Sequence, residues 1–188
     1  MAGKISKLLK LTIAMLSPDS EQRFLGVWKS FKYPYQWSKL PNPISHNESF
    51  IISDCLRLGM VMPFILHRSL TTNCFRPLVF TNLQEQTGLH RNQVASAVIR
   101  CWSIVAKCSR LVFKFPLTNS DYEDLKKNLK EERQALTALF SDFMGLFNLH
   151  ACYHLLQHAR TFGNLQIQKS EQKRWSTAFS KFSSTYQL

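Results

Sequence analysis

His150, His154 and His158 recur every four residues, a spacing that lines three imidazoles along one side of a helix. Two histidines so placed can grip a transition metal from adjacent turns. The third lies about 12 Å along the axis from the first, at 1.5 Å per residue, and is hard to bring onto the same ion. Cys152 points to another side, and no nearby carboxylate obviously completes a site, with Glu171 the only candidate. The candidate metal ligands are therefore His150, His154 and Glu171. The alternative is a polar seam within helix packing.

Other chemistry finds less support. The chain has no GxSxG, and neither GxxxxGK[ST] nor GxGxxG appears among its six glycines. Asp19, Asp54, Asp121, Asp124 and Asp142 do not cluster as carboxylates holding Mg²⁺ for nucleotidyl transfer must. Cys55, Cys74, Cys101, Cys108 and Cys152 are odd in number and lack CxxC spacing, so reduced thiols in a reducing compartment are expected. No complete active site is written in the chain. A protein that is not an enzyme and carries no cofactor is the expectation.

Charge carries the strongest signal. The 188 residues hold 24 Lys+Arg against 12 Asp+Glu, a net charge of +12. The excess is uneven: residues 1–120 contain 15 basic and 5 acidic side chains, residues 121–188 only 9 and 7. A field of that sign favours polyanions, nucleic acid first and an anionic membrane surface second. The most basic stretch, 76–115, carries Arg76, Arg91, Arg100, Lys107, Arg110 and Lys114 against Glu85 alone. Within it, Gly88, Leu89 and Val94 match the turn and the later apolar positions of a helix–turn–helix. Gln84 stands where a small residue is usual. His90, Arg91, Asn92 and Gln93 then open the second helix with side chains suited to base edges and phosphates. The candidate nucleic-acid contacts are Arg76, Arg91, Asn92, Arg100, Lys107 and Arg110. An ordinary helical turn at Gly88 is the competing reading.

The elements that must position these residues are helices. Residues 49–70 are almost continuously apolar but interrupted by Asp54 and Arg57, which suits a buried helix kinked at Pro63 better than a membrane span. Ser120-Asp-Tyr-Glu123 is a capping-box pattern, and Tyr122, Leu125, Leu129, Leu136, Leu139, Phe143 and Leu146 follow at three-and-four spacing, broken only by Glu132. A helix over 121–147 follows, able to dock on a partner helix or on a second copy of the chain through Phe140, Phe143 and Phe147. Asn148 caps a third helix stopping at Gly163, and residues 164–188 read as a weakly amphipathic tail.

Near the N-terminus, Lys4, Lys7 and Lys10 alternate with Ile5, Leu8 and Leu9 in a basic amphipathic helix ended by Ser17-Pro18. An organelle presequence over residues 1–17 is the alternative. Residues 28–47 read as a loop-rich connector, where Trp28, Phe31, Tyr33, Tyr35 and Trp37 interleave with Lys29, Lys32 and Lys39 among three prolines. Such aromatics can stack on bases while lysines meet phosphates, or they can pack the connector onto the core.

Two segments carry a resemblance. Leu40-Pro-Asn-Pro-Ile-Ser-His46, followed by an apolar helix ending Met62-Pro-Phe-Ile-Leu-His67-Arg68, resembles a segment of fungal CACTA-type transposon-encoded proteins. Asn148-Leu-His150-Ala-Cys-Tyr-His154-Leu-Leu-Gln-His-Ala-Arg-Thr-Phe162-Gly163 resembles the later helix of their C-terminal helical part, where a His-x3-His pair precedes a Phe-Gly turn and an acid that Glu171 could match. The resemblance spans roughly residues 35–175. It implies descent from a ribonuclease-H-like core that cleaves and joins DNA strands with metal. The aspartate-bearing strands of that core are absent from this chain, so the resemblance implies a truncated helical remnant that keeps DNA affinity or a partner contact, or a degenerate metal-dependent fragment.

The fold class expected is all-α, an irregular helical bundle with an aromatic and proline-rich connector. Its parts are a basic helix and connector over 1–47, a helical domain over 48–165 and a tail over 166–188. The expected partners are nucleic acid and a protein or homodimer contact through helix 121–147. No membrane span is expected, and the expected setting is intracellular, in the nucleus.

Overall fold

The computed structural model describes residues 2–35, 37–46, 49–112, 114 and 118–145. The His150, His154 and Glu171 set, the expected helix from Asn148 and the tail lie outside these residues. The described part is an all-α bundle of six helices: α1 Ala2–Met15, α2 Pro18–Ser30, α3 Ile52–Ser69, α4 Pro77–Thr87, α5 Arg91–Val112 and α6 Asn119–Leu139. A single 3-10 turn, Ser141–Phe143, follows α6.

Local chemistry sets most of the boundaries. Pro18 and Pro77 occupy the first positions of α2 and α4, where a missing N–H costs nothing. Asp19 and Glu21 complement the amino end of the α2 dipole. Gly88 ends α4 with φ +67°, and its N–H donates to the Gln84 carbonyl at 2.8 Å. A side chain at that left-handed position is strained, so glycine suits it.

α1 packs into the principal core. Ile5, Leu8 and Leu9 are completely buried with residues of α2, α3 and α5 in one core cluster. α1 passes close to α3 at Gly59, where an added Cβ would stand 3.2 Å from Ile5 Cδ1. Trp102 of α5 is fully buried, and its indole N–H donates to Thr12 Oγ1 of α1 at 3.0 Å. The Thr12 hydroxyl in turn donates to the Leu8 carbonyl at 2.7 Å. A second cluster, Ile104, Cys108, Val112, Leu125 and Leu129, joins α5 to α6. An isolated β-bridge between Leu16 and Phe75 ties the α1–α2 junction to the segment before α4.

The Glu132 that interrupts the apolar stripe of α6 is buried, and its carboxylate meets the buried Lys4 ammonium at 2.6 Å. Its Oε1 has no hydrogen-bond partner in the protein. Burial pushes the Glu132 carboxyl above its ordinary value, with the Lys4 charge pulling the other way. Burial also raises the nearby Cys101 thiol to about 12, and the Glu132 charge adds to the rise. Cys55, Cys74, Cys101 and Cys108 are all buried, and no disulfide joins them. Among the described residues no helix is long and apolar enough to cross a membrane.

Several boundaries differ from those expected. The cap of α6 is Thr118 and not Ser120: the Thr118 Oγ1 accepts the Asp121 N–H at 3.2 Å, and Asp121 Oδ2 accepts the Thr118 N–H at 2.9 Å. Lys114 donates to both Asp121 oxygens, at 2.7 and 2.8 Å, which rewards the earlier register. The α-helix ends at Leu139 instead of running on to 147, because Phe140 turns extended at φ −136°, ψ 100°. Phe140 and Phe143 then fold into the core, edge to face at 6.2 Å, and Lys7 sits 5.5 Å from the Phe143 ring. α2 runs on to Ser30, so Trp28 is helical and the connector begins at Phe31.

Candidate nucleic-acid interface

α5 divides cleanly into two sides. Val94, Val98, Cys101, Trp102 and Val105 are buried on one of them. Turning at about 100° per residue, Asn92, Arg100, Lys107 and Arg110 fall within one sector roughly 80° wide on the other. All four are exposed, with Ser96 between them exposed as well. The stripe runs about 27 Å from Asn92 to Arg110 at 1.5 Å per residue, long enough to track several phosphates.

Each member has a distinct setting. Arg100 is 75% exposed and pairs with Glu131 of α6 at 2.9 Å. An ion pair that open to water is worth at most about 1 kcal/mol, so the guanidinium can exchange the carboxylate for a phosphate. Lys107 and Arg110 extend the stripe toward the end of α5. Asn92 stands in the first helical turn, where backbone N–H groups favour anions.

The other two expected contacts lie off this stripe. The Arg91 guanidinium is 5.2 Å from the Phe80 ring centroid of α4. Arg76 precedes α4 and braces the fold: its N–H donates to the Met15 carbonyl at 2.9 Å and its Nε to the Leu16 carbonyl at 2.8 Å. Both remain exposed. The structure therefore brings Asn92, Arg100, Lys107 and Arg110 together and stations Arg76 and Arg91 elsewhere on the surface.

The α4–Gly88–α5 junction has the expected order of helix, left-handed glycine and helix. Leu83 and Val94 are buried and Leu89 is half-buried across the turn. Gln93 caps its own helix, since its Oε1 accepts the His90 N–H at 2.9 Å. That leaves Asn92 as the amide free of this duty.

The apolar stripe of α6 is used inside the molecule. Leu125, Leu129, Leu136 and Leu139 are buried with Phe140 and Phe143, and the docking face expected on helix 121–147 is not open over these residues. Phe147 lies outside the described residues. Among the described residues no group of three or more His, Cys, Asp or Glu is placed to hold a metal ion.

A signal only half read in the sequence lies in the connector. Phe31 is buried, and Tyr33 and Trp37 pack partly against the core, while Tyr35 is 86% exposed. Arg68 of α3 sits 5.8 Å from the Phe31 ring. Between α2 and the connector is a half-enclosed pocket of about 130 Å³.

No protein-family model matches the chain, and neither a curated protein nor a solved structure does.

Proposed function

We propose that this chain is a non-enzymatic nucleic-acid-binding protein that holds the phosphate backbone against the exposed side of α5. The observation that carries the reading is the gathering of Arg100, Lys107 and Arg110, with Asn92, on one exposed stripe of a helix whose opposite side is anchored in the core. The basic excess of the first 120 residues supports it. Contacts of this kind read charge and backbone spacing, so discrimination between sequences is weak. The resemblance to the helical part of CACTA-type transposon-encoded proteins accords with a DNA-associated remnant acting in the nucleus.

Affinity for duplex DNA measured across a salt series tests the reading. Three phosphate contacts correspond to a slope of about −3 in log K against log salt, and replacing Arg100, Lys107 or Arg110 by Ala lowers its magnitude by about one each. Affinity that stays flat with salt, or a slope indifferent to all three replacements, overturns it.

A further inference from the structure

α5 and α6 lie side by side and run in opposite directions. Arg100 of α5 pairs with Glu131 of α6, while Lys114, just past the end of α5, pairs with Asp121 near the start of α6. Between these two links, Ile104, Cys108 and Val112 pack on Leu125 and Leu129. α6 therefore borders α5 over the part of the stripe that holds Arg100, Lys107 and Arg110.

Two consecutive acids of α6 have different tasks. At about 100° per residue they leave the helix in different directions. Glu132 is buried against Lys4, whereas Glu131 keeps 37% of its side chain exposed and meets the Arg100 guanidinium at 2.9 Å. Arg100 is thus held from the α6 side and is 75% exposed beyond that contact. A pair so open to water adds little to the stability of the fold. What it changes is how readily the cation takes another anion. A phosphate approaching Arg100 meets the Glu131 charge beside it, and it gains the guanidinium only by displacing the carboxylate or sharing the donors with it.

We propose that Glu131 is a built-in competitor for Arg100, which keeps the grip of the α5 stripe on a phosphate backbone weak and exchangeable. The inference rests on the nucleic-acid reading and deepens it by naming the residue that regulates the site. A cation held by a carboxylate binds phosphate less tightly than the same cation without one. A backbone already seated on Lys107 and Arg110 presents its next phosphate to Arg100 at high effective concentration, which is what displaces the carboxylate.

Duplex DNA binding by the full chain, by Glu131→Gln, by Arg100→Ala and by the double variant, each at low and moderate salt, tests the proposal. Glu131→Gln is expected to tighten binding about two- to fivefold at low salt, with a smaller gain as salt screens the lost charge. In the Arg100→Ala background the same replacement is expected to gain little, because the cation it competes for is gone. Glu85→Gln removes an equal charge from an exposed position of α4, and it should gain less than Glu131→Gln. Melting of Glu131→Gln should match that of the parent. Affinity unchanged or weakened in Glu131→Gln overturns the inference, and so does an equal gain in the Arg100→Ala background. Where the parent still binds duplex in a salt-dependent way, either result leaves the α5 reading standing; a parent whose affinity is flat with salt removes both.

Discussion

Lys4 and Glu132 are the two charges that the core holds most completely, at 3% and 1% side-chain exposure. Neither can be hydrated, so each depends on the other for compensation. Removing one partner leaves a bare buried charge, which costs about 3–5 kcal/mol, whereas replacing both by apolar side chains of similar size is commonly neutral or stabilising. Lys4→Met alone is therefore expected to lower unfolding free energy by about that amount, and adding Glu132→Leu to recover most of it. Denaturant titration of the two variants checks this. A single variant as stable as the parent would show that Glu132 finds another partner or takes up a proton at little cost. The same pair explains why an acid interrupts the leucine periodicity of α6: it is matched from 128 positions away.

At the level of the element, α6 shows how a short cluster sets a boundary. Lys114, Thr118 and Asp121 interlock at its start, and the Lys114 hydrogen bond, followed by those from the Thr118 backbone and hydroxyl, holds the Asp121 carboxyl down to about 2. A carboxylate whose value is depressed by folding stabilises the folded state above its unfolded value, near 3.8, and that contribution disappears as pH falls toward 2. The acid limb of a stability profile between those limits is accordingly expected to be shallower in Asp121→Asn than in the parent, measured by melting at each pH. Identical limbs would count against the cap. At the other end of α6, periodicity alone favours continuation through Phe143. The helix stops at Leu139, where Phe140 turns extended, and Phe140 and Phe143 are both buried, Phe143 beside Lys7.

For the molecule as a whole, the first helix is expected to decide cooperativity. α1 sends Ile5, Leu8 and Leu9 into the principal core, supplies the acceptor for Trp102 and holds the partner of Glu132. Deleting residues 1–17 is expected to abolish cooperative thermal unfolding as followed by circular dichroism. A truncated chain melting like the full chain would show that the body is stable without α1. The placement also bears on charge: Lys4 is withdrawn from solvent, while Arg100, Lys107 and Arg110 of α5 are exposed.

Part of the element order was legible in the chain because its causes are local: an apolar run marks α3, apolar spacing marks α6 and Gly88 marks the turn into α5, each from residues within a turn or two, whereas the helix Pro18–Ser30 was not read from its sequence. The basic stretch from Arg76 to Lys114 was equally plain, since charge is additive along the sequence. Which of those cations share a surface was not. Arg76 is turned to backbone carbonyls at the α1–α2 junction and Arg91 to Phe80, while Arg100, Lys107 and Arg110 align, and that sorting depends on which side of α5 the core claims. The pairing of Lys4 with Glu132, the inward turn at Phe140 and the pocket at Trp28 likewise belong to tertiary structure. They arise from contacts between residues far apart in the chain, whose free energy no local pattern records.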